Sequence, residues 1–528
     1  MVPPLAVRLY LLLIFTALLG FSDALLAHGF GERYDLPVPL NLYLLGAALT
    51  VLFSFVIIAI FIKGERLAYN YPSVGIISRP NFVYWVAFGF IQLLKLFAIG
   101  MLILIIVSGF YGQQNPFENI APTAVWVIWW VGFSYVAGLL GNLWAAINPW
   151  SSLFDWAEKS WSKISSSKQF GLQLSWPDKL ESWPAVILFS WFIWAELVWS
   201  KSDSPIDLAQ IILIYSGITW LGMWLYGRHQ WLKKAEVFSI LFSFLARFSP
   251  TEFRVDGSPD HQCEAMRLDK NNQCINQLRC FENAPASHRH WNLRPWAVGL
   301  LTDKSLSLSL SIFVLFMLAS VTFDGLLATP LWADLAKTMV YSESLRPIIV
   351  FLQDYTGHAI AAVTTIALIA FLLIFVGIYI VFNALMWLIL PKEQRDKTSI
   401  LLLARTFVLS LIPIALAYHL AHYMSYLAIV GQYIIPLISD PMGLGWDLFG
   451  TSLYQIDISV INARFVWYTS VVAIVFGHII AVWLAHVMAL RTFLNNRAVL
   501  LSQIPMLILM VSYTILSLWI MAQPIVEL

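Results

Sequence analysis

Apolar runs of 18 or more residues recur along this 528-residue chain, and this repetition restricts its fold more than any other feature. A run of that length with few charges is typical of a transmembrane helix. Lipid tolerates only structures that satisfy every backbone hydrogen bond internally. The composition agrees, because only 12% of the residues are charged, against about 25% in soluble domains. The sequence therefore predicts an all-α fold, a polytopic transmembrane helix bundle of about 10–11 spans with one soluble cytoplasmic loop.

The predicted spans follow an N-terminal segment that has two interpretations. Residues 1–27 form either a cleaved signal peptide or the first transmembrane helix, because Arg8 precedes a short apolar run and small residues. The spans after it are predicted at 41–62, 82–110, 123–147, 184–200, 206–226, 305–323, 359–390, 399–433, 465–489 and 500–522. The resulting parts are N-terminal transmembrane helices over 28–248, a soluble loop with Cys and His over 249–297, and C-terminal transmembrane helices over 298–528.

Basic residues are distributed unequally between the two sides of this predicted bundle. The loops on one side carry 23 Lys and Arg residues and those on the other side carry 5. Because cytoplasmic loops are enriched in Lys and Arg, the first side is predicted to be cytoplasmic and the C-terminus to lie outside. The net charge of +1 offers no general attraction for nucleic acid. Since phosphate-loop and dinucleotide fingerprints are missing from the sequence, no nucleotide cofactor is predicted.

Histidines at membrane depth are the first candidates for a functional site. His419 and His422 lie in the stretch YHLAHYMSY, three positions apart and hence on one helix face. His478 lies at a similar depth in another span. Ionisable residues inside spans usually face a bundle interior and mark function. The three could bind a divalent metal such as zinc, or they could simply form hydrogen bonds between helices.

Further acids and histidines cluster at or beyond the outward ends of the spans. They are His28, Glu32, Asp35, Glu196, Asp324, Asp354, His358 and Asp447. Histidine and carboxylate ligands suit zinc, and a catalytic site would keep one position for water. Alternatively, the loop acids are solvated, and Glu196 and Asp324 pair with the backbone or with Arg. Their grouping on one side predicts a polar site in the outer half of the bundle.

Six stretches resemble a family of bacterial multi-pass membrane proteins commonly labelled fenitrothion hydrolase. They are HGFGERYDLPVPL at 28–40, GNLWAAINPW at 141–150, FDG at 323–325, AHY at 421–423, SDPMGLGWDLFGT at 439–451 and GHIIAVWLAH at 477–486. The resemblance covers most spans but not the loop at 249–297. It implies hydrolysis of an apolar organophosphate triester reached from the lipid bilayer or the periplasm. It also implies the bacterial inner membrane, where the C-terminus that the basic residues place outside would lie in the periplasm.

A metal-assisted mechanism combines this reaction with the candidate residues. The predicted metal ligands are His419, His422, His478 and His358, and the predicted catalytic residues are Asp324, Tyr418 and Tyr423. A metal-bound hydroxide would attack phosphorus while the metal polarises the phosphoryl oxygen. Asp324 or His358 would complete or orient the ligand shell, and a tyrosine would assist the leaving phenolate.

Two other functions remain compatible with the sequence. A transporter or permease would use the buried histidines and acids as a proton or metal relay. A haem-binding electron-transfer subunit would use histidines on facing helices as axial ligands. A second membrane subunit is compatible with all three functions.

The three cysteines lie together in the soluble loop. Cys263, Cys274 and Cys280 are followed by His288 and His290, which are suitable zinc ligands but match no standard zinc spacing. The predicted topology places them in the cytoplasm, where disulfides are disfavoured. The sequence leaves a structural metal site as one interpretation and favours free thiols in a mobile loop.

Overall fold

The computed structural model describes most of the chain beyond its N-terminal segment. The described residues are 34–62, 71–77, 82–165, 170–256, 273–276, 280–281, 284–302, 305–493 and 495–525. The predicted signal peptide or first helix at 1–27 therefore lies outside the described residues, as do the candidates His28, Glu32 and Cys263.

Helices make up most of the described chain. In chain order they are α1 (Leu40–Phe61), α2 (Phe82–Tyr111), α3 (Ile120–Leu140), α4 (Leu143–Ile147), α5 (Pro149–Ile164), α6 (Trp183–Leu197), α7 (Pro205–Tyr226), α8 (Arg228–Lys234), α9 (Val237–Leu245), α10 (Leu308–Leu327), α11 (Pro330–Val340), α12 (Arg346–Thr356), α13 (Ala359–Ile389), α14 (Lys392–Arg395), α15 (Ile400–Ser439), α16 (Ala463–Thr492) and α17 (Asn496–Ile525). Nine helices of the described residues are long and apolar enough to cross a membrane, namely α1, α2, α3, α7, α10, α13, α15, α16 and α17. The predicted all-α polytopic bundle is confirmed.

Helix α6 corresponds to the predicted span at 184–200 but is shorter than the nine helices that could cross a membrane. Its 15 residues extend about 22 Å at 1.5 Å per residue. At its start, the backbone N–H of Ser182 donates to Ser309 at the beginning of α10. Near its end, the Trp194 indole N–H donates to Thr365 in the first turns of α13. Because α10 and α13 begin at opposite ends of the bundle, α6 connects these two ends.

One end of the bundle carries a small antiparallel sheet that the sequence did not indicate. Its strands are β1 (Val74–Ile77), β2 (Thr251–Asp256), β3 (Gln273–Ile275) and β4 (Arg289–Leu293), in the order β1-β4-β2-β3. The hydroxyl group of Thr251 donates to the Leu140 carbonyl at the end of α3, which ties the sheet to the bundle. We call this the sheet end. The opposite end, where α11 and α12 lie between α10 and α13, is the hairpin end.

A buried ion cluster stabilises the sheet. Glu252 and Arg254 are two residues apart on β2, so their side chains share a face, and the Arg254 Nε atom lies 2.6 Å from a Glu252 oxygen. Tyr71 donates to the other Glu252 oxygen at 2.8 Å, and the Arg294 guanidinium lies 3.4 Å from the same atom. Segments far apart in the sequence therefore converge on one carboxylate.

Helices α15 and α16 pack closely where Gly477 lies. A Cβ atom at Gly477 would lie 2.5 Å from the Ala417 Cβ and 2.9 Å from the Pro413 carbonyl oxygen. The backbones of the two helices can therefore approach only because residue 477 lacks a side chain.

We expect Gly477→Ala to lower the free energy of unfolding by about 1–3 kcal/mol, because the added methyl group overpacks this contact. The matched control is Gly46→Ala in α1, where a new Cβ would meet no atom within 4 Å. Thermal unfolding of the detergent-solubilised variants measures both effects. Equal unfolding temperatures for the two variants would contradict the close α15–α16 contact.

Candidate functional site

Asp324 is the centre of a buried polar network in the hairpin-end half of the bundle. It lies in the last turn of α10 and receives hydrogen bonds from two residues of α15. The Tyr423 hydroxyl group donates to Asp324 Oδ2 at 2.6 Å, and His422 Nε2 lies 2.8 Å from the same oxygen. The His422 side chain is 3% exposed, whereas the Asp324 side chain is 24% exposed. The carboxylate is therefore the more accessible member of this pair.

Glu196, in the last turn of α6, extends the network by a second carboxylate. Its Oε1 atom accepts a hydrogen bond from the Trp130 indole N–H and lies 3.5 Å from the Tyr423 hydroxyl oxygen. Both carboxylates therefore lie within hydrogen-bonding range of one phenol. Since a phenol has a single proton to donate, the shorter contact shows that Asp324 receives it.

The Trp130 side chain is positioned by an unusual stretch of helix. Residues Thr123–Gly132 of α3 are π-helical, and most of them are buried. Such stretches are rare in proteins and frequently occur at functional sites. This feature could not be predicted from the sequence, because Trp130 lies in an apolar span and is only one of the 24 tryptophans of the chain.

His419 packs beside the network, but its ring is directed at the backbone. Its Nε2 atom lies 3.4 Å from the Val131 carbonyl oxygen of the π-helical stretch. The Tyr135 hydroxyl group donates to the His419 carbonyl at 3.1 Å. Aromatic rings of Trp130, Tyr135 and Tyr423 surround the imidazole at centroid distances of 6.1, 5.3 and 4.8 Å. This contact set resembles a core histidine more closely than a metal ligand.

The other predicted metal ligands do not join this cluster. His478 Nδ1 donates to the carbonyl of Ile474 in its own helix at 2.8 Å. His358 is the N-cap of α13, where its Nδ1 atom accepts from the Ala361 N–H at 3.1 Å. Tyr418 stacks on His422 at a centroid distance of 6.3 Å, and its hydroxyl group lies next to Gly325.

The positions of these nitrogen and oxygen atoms show whether a metal ion would fit between them. Across the described ranges, no group of three or more His, Cys, Asp or Glu side chains is placed so that it could hold a metal. His419 faces a carbonyl oxygen, and His422 is bound to Asp324. This arrangement therefore does not bring His419, His422 and His478 together as a set of metal ligands.

The remaining predicted acids lie on the surface of the hairpin end. Asp35 and Asp354 are exposed. Asp447 accepts a hydrogen bond from the Ser452 N–H at 3.0 Å, which lowers the pKa of its carboxyl group. These acids order loops or face solvent, and they do not extend the network.

The cysteine loop is described in part. Cys280 is buried with Val255 and Ala284 in a small core beneath the sheet. Cys274 lies in β3, where its Cα pairs with that of Val255 in β2. The predicted structural metal site stays a prediction, because Cys263 lies outside the described residues.

We expect His358→Ala to lower the free energy of unfolding by about 1 kcal/mol, because α13 would lose its N-cap acceptor. His358→Asn supplies another good capping acceptor and should restore most of that stability. Thermal unfolding of both variants checks this expectation. A large loss that asparagine does not rescue would instead favour a ligand role for the imidazole.

The sequence matches no protein-family model, no curated protein and no solved structure.

Proposed function

We propose that this multi-pass membrane protein is a proton-translocating transporter that uses Glu196, Tyr423, Asp324 and His422 as its relay. One observation carries the proposal. Two carboxylates inside the bundle reach the same tyrosine hydroxyl, at 2.6 and 3.5 Å, and one of them also contacts a histidine at 2.8 Å.

The energetic cost of such a network favours a function over a structural role. Ionisable side chains within a membrane are expensive and rare, and they usually line pathways for protons, ions or substrates. Two negative charges this close in a medium of low dielectric repel strongly. A proton bound to the pair relieves that repulsion, so the pair is suited to bind and release one.

The hydrogen-bond directions allow the proton to move in one concerted step. With Asp324 ionised, Tyr423 donates to it, as does His422 in the tautomer protonated on Nε2. A proton on Glu196 can pass to the Tyr423 oxygen while the Tyr423 proton moves to Asp324. This step leaves Glu196 ionised and Asp324 neutral, and the Trp130 N–H stabilises the new carboxylate.

We also propose that the sheet end faces the cytoplasm. The loops predicted at that end carry 23 Lys and Arg residues, and those at the other end carry 5. Cytoplasmic loops are enriched in Lys and Arg. Labelling a single cysteine introduced at Leu453, which is 91% exposed at the hairpin end, tests this orientation. A membrane-impermeant reagent should reach it from the periplasm in intact cells.

The experiment that tests the function is proton uptake by reconstituted vesicles. Purified protein is placed in liposomes that contain a pH-sensitive dye, and a membrane potential, negative inside, drives protons inwards. We expect faster acidification than in protein-free liposomes. Equal rates in the two preparations would overturn the proposal.

The phosphotriester hydrolase implied by the family resemblance stays a prediction. The contact of His422 with Asp324 favours it, because a histidine oriented by a carboxylate can act as a general base towards water. An aromatic phosphotriester added to the same vesicles distinguishes the two functions. Phenolate release by the wild type but not by His422→Ala would favour the hydrolase, and mass spectrometry of the purified protein would test the predicted metal. A Soret band would favour the haem-binding alternative.

A further inference from the structure

A second group of buried polar side chains lies next to the network, towards the centre of the bundle. Tyr418, His478 and Ser517 are at most 1% exposed. Within the described part of the chain, the Tyr418 hydroxyl oxygen and the His478 Nε2 atom have no hydrogen-bond partner, and the Ser517 hydroxyl group has only its neighbour Tyr513. Leaving a buried polar atom unsatisfied costs about 1–3 kcal/mol. Two such atoms close to a buried serine therefore require an explanation.

Tyr418, His478 and Ser517 lie where α10, α15, α16 and α17 pack together, with His478 and Ser517 beside Tyr513 of α17. A Cβ atom at Gly325 would lie 2.6 Å from the Tyr418 hydroxyl oxygen and 2.8 Å from Ile520, so this hydroxyl group lies between α10 and α17. Ser517 lies three residues before Ile520 and four after Tyr513, which places it on the same face of α17. The His478 ring is 5.9 Å from the Tyr513 ring.

The donor and acceptor roles of this group can be assigned. His478 Nδ1 contacts a carbonyl oxygen and so carries the proton, which makes Nε2 an acceptor in the neutral ring. Thr322 gives its only proton to the Leu318 carbonyl, so Tyr513 must donate in the bond between Tyr513 and Thr322. The Tyr418 hydroxyl group can donate a hydrogen bond, and the Ser517 hydroxyl group can donate or accept one.

This combination fits a small neutral ligand that both donates and accepts. The group includes no carboxylate, which a hard cation would favour. Water has the required donors and acceptors, and buried water typically makes about three hydrogen bonds to groups that would otherwise be unsatisfied.

We propose that Tyr418, His478 and Ser517 bind water at the centre of the bundle and so extend the Asp324–His422 network inwards. Tyr418 connects the two groups, because it stacks on His422 while its hydroxyl group lies beside residue 325. The water site stands on the geometry alone. Its use as the next part of the proton path rests on the proposed function.

Hydroxyl-radical labelling with mass spectrometry tests the water site directly, because radiolysis of bound water modifies the side chains around it. We expect Tyr418 and Tyr513 to be modified in the wild-type protein despite their burial. Tyr379 is the matched control, since it is 2% exposed and its hydroxyl group donates to the Ala404 carbonyl. Labelling of Tyr418 and Tyr513 no greater than that of Tyr379 would overturn the water site.

Proton uptake tests the path. If protons pass through this water, Tyr418→Phe and His478→Phe should each slow uptake by about ten-fold or more. His486→Gln is the control, since both nitrogens of that ring already have partners, in Gln503 and the Ile62 carbonyl. If Tyr418 and Tyr513 are labelled but the two variants take up protons at the wild-type rate, the proton path is overturned and the water site is retained. A wild type without uptake would overturn the transporter, whereas the labelling result would stand.

Discussion

Asp324→Asn is expected to abolish proton uptake by the reconstituted protein, with a loss of about 100-fold or more. Asparagine has the size of aspartate, and its amide oxygen can still accept from Tyr423 and His422, which now lie 2.6 and 2.8 Å from the carboxylate. It cannot bind and release a proton. The substitution therefore removes the chemistry of the relay and keeps its shape.

The matched control for this result is Asp354→Asn. Asp354 is exposed on α12 at the hairpin end, and it lies outside the network. We expect its substitution to leave uptake at the wild-type rate. The thermal unfolding temperature of both variants is measured to show that each is folded. Wild-type uptake by a folded Asp324→Asn variant would contradict the relay.

The multi-pass fold could be predicted from the sequence because lipid imposes a simple rule on composition. A helix that crosses a bilayer must be apolar over its whole length, so its position can be read directly from the chain. Helix α6 was predicted as a span for the same reason, although its 15 residues are fewer than a full crossing needs. What the apolar pattern cannot show is the residue at which a helix begins or ends.

The sheet could not be predicted in the same way. Strand β1 at Val74–Ile77 pairs with β4 at Arg289–Leu293, which is more than 200 residues away in the sequence. Strands this short carry little periodic signal, and their pairing depends on tertiary contacts. Glu252 and Arg254 lie in the stretch predicted as a soluble loop, whereas the structure buries both.

The candidate site was predicted in part, for a geometric reason. Sequence position gives the depth of a residue in its span, and depth alone suggested that His478 would join His419 and His422. Packing sets the rotation of each helix about its axis. The depth of a residue therefore does not determine which neighbouring helix its side chain faces. His478 turns towards Tyr513 on α17, and Glu196 reaches Tyr423 because Trp130 holds it from a π-helical stretch.

Glu236 is another buried acid, at the sheet end, and its contacts indicate a structural role. It is the N-cap of α9, where it accepts from the backbone N–H groups of Phe238 and Ser239 at 3.1 and 2.7 Å. Tyr215 donates to it at 2.5 Å, and Asn148 lies 3.5 Å away. Glu236 is 0% exposed, so the two N–H groups and Tyr215 depend on it for an acceptor, whereas Asn148 also donates to the Ser239 hydroxyl oxygen at 3.3 Å.

We expect Glu236→Ala to lower the free energy of unfolding by about 3–5 kcal/mol, because it removes a helix cap and leaves buried donors unsatisfied. Glu236→Gln keeps an acceptor oxygen and should lose much less. The control is Glu393→Ala. The Glu393 side chain is 81% exposed and its contact at 3.4 Å is with Lys397, which is also exposed, so no measurable change is expected. Thermal unfolding followed by tryptophan fluorescence compares the three variants. A stable Glu236→Ala protein would show that these donors find other acceptors, and Glu236 would then have to be considered as a second proton site.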